Sequence, residues 1–300
     1  MSAPVHASDF CIRTWPPEAR LVALITANFD DSEAVGDVWT IAGYVGYANQ
    51  WDYFDDLWRA ALDRHDVPYS HMKEMNDPNG PFAKWLPHKE HQLEVVAFFK
   101  DLVAAIQKSA LYMVASTVWI SDLDRFNKEA GLALEAYPLV AYACTSLIGA
   151  KYKNLPVMAV FDRANQVHSK LVTARSYANS DKHLFPGLCD TIETVPLAKP
   201  LTCRDVPAMQ AADFVAREIR KQAWKMKGWQ LSDRPISNNR YEQYRQFMEW
   251  TRQLTGSDPQ LRKSLDALLS GDLIKAVTWD HQQLKDANEV RRGIWFSETE

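Results

Sequence analysis

Short apolar runs alternating with amphipathic stretches predict an α/β fold. The expectation is a mixed sheet of about five or six strands with helices on both faces. Three observations carry it. Leu155 to Asp162 reads Leu-Pro-Val-Met-Ala-Val-Phe-Asp, a nearly unbroken apolar run suited to a strand buried on both faces. Pro156 fits only at its start, where no ladder donor is lost. Leu21 to Phe29 is a second such run, polar on one face through Thr26, Asn28 and Asp30. Between them Trp51, Phe54, Leu57, Trp58, Ala61 and Leu62 recur at helical spacing, giving a helix that covers the sheet.

The other elements follow in order. Residues 1–19 form a leader closed by Pro16-Pro17. Asp30 and Asp31 end the first strand, and Ser32 and Glu33 enter a turn near Gly36. Val38 to Tyr47 returns as the partner of a hairpin. Asn49 caps the first helix, whose polar face carries Asp55 and Arg59 as an i,i+4 pair. Tyr69 to Met75 is short and irregular, and the Asn/Pro/Gly-rich stretch 76–81 is a loop. Helix is expected from His88 to Ser109 and strand from Leu111 to Ile120. Helices then continue to about Lys153, opened by Ser121-Asp-Leu-Asp and bent at Pro138. Gln166 to Asn179 reads as helix and Cys189 to Leu197 as an edge strand. A long helix runs from the cap Asp205 to Met226. The α/β domain is placed at 20–240 and a helical C-terminal extension at 241–300.

The 300 residues are 47% hydrophobic, enough to bury a large core. A net charge of −4 gives no global attraction to nucleic acid or anionic membrane, so any polyanion site is a local patch. Cys11, Cys144, Cys189 and Cys203 form no C-x-x-C pair. That disfavours a zinc module or disulfide framework and fits a cytoplasmic protein. No apolar run is long enough to span a bilayer. Phosphate-binding glycine loops and the G-x-S-x-G elbow are absent.

Asp30 and Asp162 both end apolar strands, so in one sheet their carboxylates can converge. Clustered carboxylates repel unless a cation neutralises them, and oxygen ligands suit Mg2+ or Mn2+. Glu74 and Asp213 complete a candidate catalytic and metal-binding set. Two such ions support phosphodiester hydrolysis. On the helix from 205, Asp213 shares a side with Arg217, Arg220, Trp224 and Lys227. Such basic-aromatic stripes bind nucleic-acid strands; the alternative is a surface ion pair between Asp213 and Arg217. Asp31, His71 and Arg163 are auxiliary candidates. His88 and His91, one helical turn apart, read as a solvated helix start.

Five pieces run in order: Phe29-Asp-Asp-Ser-Glu, Ile41-Ala-Gly-Tyr-Val, His71-Met-Lys-Glu, Val160-Phe-Asp and Met209-Gln-Ala-Ala-Asp-Phe. Together they resemble the prokaryotic domain-of-unknown-function family numbered 3800, which is grouped with ribonuclease H-like folds. Glu33 stands where the family usually has glycine. The resemblance implies a ribonuclease H-like core and a metal-dependent nuclease or phosphodiesterase, with Asp30, Asp162 and Asp213 in the positions of the family's acids and Glu74 at a variable one. The alternative is a non-catalytic module of the same fold that binds nucleic acid or protein. Metal-dependent chemistry on a small phosphate ester is a third reading.

Overall fold

The computed structural model describes residues 25–34, 38–86, 90–152, 155–162, 192–196, 202–226, 259–261, 263 and 274–286. Its centre is one six-stranded sheet. β1 (Ile25–Ala34) and β2 (Val38–Tyr47) form a hairpin, followed by β3 (Tyr112–Trp119), β4 (Val157–Phe161), β5 (Ile192–Pro196) and β6 (Ile274–Trp279). The strand order is β5-β4-β1-β2-β3-β6. β2 alone runs against the others: it pairs antiparallel with β1 and β3, while β1–β4, β4–β5 and β3–β6 are parallel. The sheet is mixed, as expected, with β2 as its one antiparallel strand.

Helices cover both faces. α1 (Ala48–Arg64), α2 (Gln92–Ser109) and α5 (Pro207–Met226) lie on one side, and α3 (Ile120–Ala130) and α4 (Ala136–Lys151) on the other. The pleat sorts the strands between these two cores. Ala42, Tyr44, Met158 and Val160 face α1, α2 and α5; Ile25, Ala27, Phe29, Ile41 and Phe161 face α3 and α4. Trp51, Phe54 and Trp58 fill the first layer from α1. The polar face of β1, Thr26, Asn28 and Asp30, therefore points into the layer beneath α5.

Several expectations change in detail. β1 does not end at Asp30: pairing continues to Ala34 opposite Val38, so Asp30 lies where β4 stops. α1 starts before Asn49, and Gln50 Oε1 accepts the Tyr47 N–H at 2.9 Å. Asp55 is 1% exposed, not part of a solvated face, because α1 packs between α2 and α5. Pro138 does not bend a helix. Gly131, in the left-handed region at φ 66°, closes α3, and Pro138 sits in the first turn of α4, where its missing donor costs nothing.

The C-terminal region departs most. Expected as a helical extension, it supplies β6, which pairs with β3 from Met113–Ile274 to Val118–Trp279. Trp279 Nε1 donates to Ser116 Oγ at 3.1 Å. A helix at 281–286 follows, where His281 and Lys285 meet Glu129 of α3. The leader 1–19 and the helix expected at 166–179 lie outside the described residues.

Candidate functional site

The parallel pairing of β1 with β4 fixes the centre of the site. Phe29 stands opposite Phe161, and their rings stack with centroids 5.0 Å apart. One residue further, the Asp162 N–H donates to the Phe29 carbonyl at 3.3 Å. Asp30, within β1, and Asp162, just past the end of β4, thus stand side by side on the face beneath α5. Gly43 lies opposite Phe29. A Cβ there would stand 1.8 Å from the Asn28 oxygen, so this hairpin can close only around a glycine.

Asp30 is 8% exposed. Burial pushes its carboxyl well above the usual range, and the charges of Asp213, Asp162 and Asp31 push it further. The Asp31 N–H, donating to Asp30 Oδ1 at 2.8 Å, opposes that rise. By the pleat the Asp31 side chain lies on the other face of the sheet, with Ile41. Asp213 comes from α5 and is anchored by the Met72 N–H, which donates to its Oδ2 at 2.6 Å. The structure therefore brings Asp30, Asp162 and Asp213 together.

Glu74 has other partners. It ends a 3-10 turn, Met72–Glu74. Tyr69 Oη donates to Glu74 Oε2 at 2.7 Å, and His71 Nδ1 lies 2.9 Å from Oε1. Arg204 Nη2 also donates to Oε1, while its guanidinium lies 5.0 Å from the Tyr69 ring centroid. Burial alone would raise the Glu74 carboxyl. The hydrogen bonds from Tyr69, His71 and Arg204 outweigh it, and the net shift is downward.

Gln210 stitches these pieces to α5. Its Oε1 accepts the Trp58 indole N–H at 3.0 Å and the Ser70 N–H at 2.9 Å, and its Nε2 donates to the Arg204 carbonyl at 2.9 Å. Asp205, read as a helix cap, instead accepts from the Thr202 N–H and hydroxyl at 2.8 and 2.7 Å. Cys203 sits in this turn. Burial, then Asp162, Asp30 and Asp213, push its thiol up to about 12, which marks it as a neighbour of the three aspartates.

The basic stripe does not face solvent as expected. Arg217 and Arg220 are each 4% exposed, because α5 lies against β1, β2 and α1. Lys221 pairs with Glu218 on the same helix. Its ammonium is lowered to about 7 by burial and by Arg217 and Arg220, against the pull of Glu218. The Trp224 side chain, Lys227 and Arg163 lie outside the described residues. His91 pairs with Glu94 at 3.2 Å; His88 also lies outside.

No family model matches the chain, and no curated protein does. Similar solved structures include a point mutant of Bst-RNase HIII, with TM-score 0.41 and 13% identity. Bst-RNase HIII in complex with Mn2+ has TM-score 0.39 and 12% identity. Each match covers 77% of this chain, which spans 62% of the length of the other.

Among the described residues, no group of three or more His, Cys, Asp or Glu side chains is arranged so that it could hold a metal ion. The donor chemistry nevertheless fits a hard divalent cation: Asp30, Asp162 and Asp213 offer carboxylate oxygens, and ionised Asp30 lacks a compensating charge among its principal neighbours. No helix of the described residues is long and apolar enough to cross a membrane. Tyr69, Cys203, Arg204 and Gln210 were missed from the sequence. Gln210 had a faint signal, as a polar residue inside Met209-Gln-Ala-Ala-Asp-Phe; Arg204 had none beyond its place just ahead of a helix.

Proposed function

We propose that this chain is a metal-dependent nuclease or related phosphodiesterase acting on nucleic acid. The observation that carries the proposal is the gathering of Asp162, Asp213 and Asp31 charge around the buried Asp30 carboxyl. A buried acid among like charges ionises readily only with a cation beside it. Asp30, Asp162 and Asp213 would hold Mg2+ or Mn2+. Such an ion, when bound, supplies Lewis acidity for phosphoryl transfer and eases ionisation of an attacking water.

The chain's own groups prepare the acids for that role. Met72 N–H fixes one oxygen of Asp213 and Asp31 N–H fixes one of Asp30, so each carboxylate offers its other oxygen in a set direction. Glu74, expected among the ligands, is assigned here as a positioning residue that holds Arg204 and His71. The layer beneath α5 is well packed, which limits water around the acids and strengthens their interaction with a cation.

Calorimetric titration with Mn2+, paired with cleavage of labelled DNA and RNA in Mn2+ or EDTA, tests the reading. Wild type should bind Mn2+ and cleave only with metal, and Asp162→Asn should do neither. Equal cleavage by both proteins refutes the assignment. One observation favours a second reading, a binding module without catalysis: among the described residues, no three acids are arranged so that they could hold a metal ion. Nucleic-acid binding that is indifferent to Mn2+ and to Asp30→Asn would support that alternative.

A further inference from the structure

The buried cations of α5 leave open what would grip a nucleic-acid strand beside the carboxylates. We infer that Arg204, seated on Tyr69 and held by Glu74, is the phosphate-contacting residue that sets a nucleic-acid phosphodiester against Asp30, Asp162 and Asp213. The inference rests on the nuclease reading above and gives that site its substrate contact.

Its position follows from a short chain of bonds. Met72 N–H is 2.6 Å from Asp213 Oδ2, and Glu74, two residues on in the same turn, holds the Arg204 guanidinium. Gln210 fixes the Arg204 backbone and the Ser70 backbone to the helix that carries Asp213. The guanidinium is thus fastened within one short turn of Met72, whose N–H anchors Asp213.

Its availability follows from exposure. The Arg204 side chain is 53% exposed, whereas Glu74 is 11% exposed and Arg217 and Arg220 are buried. A guanidinium has five N–H donors. The bond to Glu74 uses Nη2 and the Tyr69 ring occupies one face, so donors remain for a phosphate oxygen. A fork held in place by a carboxylate and a ring loses little freedom on binding. Arg204 thereby puts an exposed positive contact on the turn that anchors Asp213, where it can draw a polyanion toward an acidic site.

The test uses the full chain, Ca2+ in place of Mn2+ to slow cleavage during binding, and a fluorescein-labelled oligonucleotide made as DNA and as RNA. Arg204→Gln should weaken binding about tenfold and reduce the slope of log affinity against log salt by about one. Arg204→Lys, which keeps the charge and can still pair with Glu74, should fall between. Arg125→Gln, which removes an exposed cation on α3, should match wild type and so exclude a generic charge effect. Mn2+ affinity of Arg204→Gln should stay within about threefold of wild type, since Arg204 touches the substrate and not the ion. In Mn2+, the loss should fall on KM more than on kcat.

Wild-type binding and salt slope in a folded Arg204→Gln, with cleavage intact, would overturn the Arg204 assignment while leaving the nuclease reading standing. A wild-type protein that neither titrates with Mn2+ nor cleaves would remove both. Should Arg204→Gln fail to fold, Arg204→Lys decides: unchanged affinity, salt slope and KM overturn the assignment, and an intermediate loss with normal melting supports it.

Discussion

Two groups of acids stand a few residues apart and behave in opposite ways. Around Asp30 the neighbours that matter are other carboxylates, and its pKa rises. Around Glu74 the neighbours are a phenol, an imidazole and a guanidinium, and its pKa falls. Burial acts in the same direction on both. The partners decide the outcome: carboxylates add to the rise at Asp30, and hydrogen-bond donors reverse it at Glu74.

Neutralising the first group should give the largest effect. In the proposed enzyme Asp162→Asn should reduce Mn2+-dependent cleavage more than about 10²-fold, the scale of several kcal/mol of charge stabilisation. Mn2+ should also raise the melting temperature of wild type but not of Asp30→Asn, as expected for a ligand that binds only the folded form. Melting curves with and without Mn2+ check this, and an equal rise in both proteins would place the ion elsewhere.

Gly43→Ala attacks the scaffold beneath Asp30. The new methyl would meet a backbone oxygen at 1.8 Å and the Phe29 ring at 2.8 Å. Urea unfolding should show a loss of about 3 kcal/mol, the upper end for overpacking. A loss below about 1 kcal/mol would mean that the β1–β2 hairpin yields easily.

Glu74→Gln sharpens the contrast between the two groups. It keeps the shape but weakens the hold on Arg204 and His71, and stability should fall by about 1 kcal/mol, discounted for the exposure of Arg204. Its Mn2+ affinity should change little. A collapse of Mn2+ binding comparable to that of Asp30→Asn would return Glu74 to the metal ligands.

The last effect is in pH. The native pKa of Asp30 lies above its unfolded value, so the folded protein holds that proton more tightly. Stability from this group is present at low pH and is lost as pH rises from the ordinary carboxylate range through the raised native value. Glu74 has the reverse sign: its contribution is present above the ordinary carboxylate range and is lost as pH falls through its lowered value. In EDTA, Asp30→Asn should therefore gain on wild type with rising pH by up to about 1.4 kcal/mol per pH unit inside the Asp30 window. Thermal melts across pH check this, and a constant difference would mean that Asp30 titrates normally.

Much of the fold was legible because local pattern and final environment agree. The apolar run before Asp162 is β4, and Pro156 precedes its first residue. The one-sided polarity of Thr26, Asn28 and Asp30 marked the face beneath α5. The approach of Asp162 to Asp30 was foreseeable from the two apolar runs that precede them, and Asp213 was grouped with them through the family resemblance, although β1 runs on past Asp30. Other features depend on distant partners. β6 pairs with a strand far earlier in the sequence, and no local periodicity reports that. Arg217, Arg220 and Asp55 look solvated on a single-helix projection, yet neighbouring elements cover both sides of α1 and α5. The Glu74–Arg204 pair joins segments 130 positions apart, and charge spacing along the chain carries no trace of it.

The placement of β6 also bears on how the chain is made. β3 emerges early during synthesis, but its outer edge is covered only when Ile274–Trp279 has been translated. Until then its unpaired amides and carbonyls are a template for strand addition by another molecule. A nascent chain stalled before that point would expose the fully buried β3 as its sheet edge, a role that β6 takes over in the finished fold.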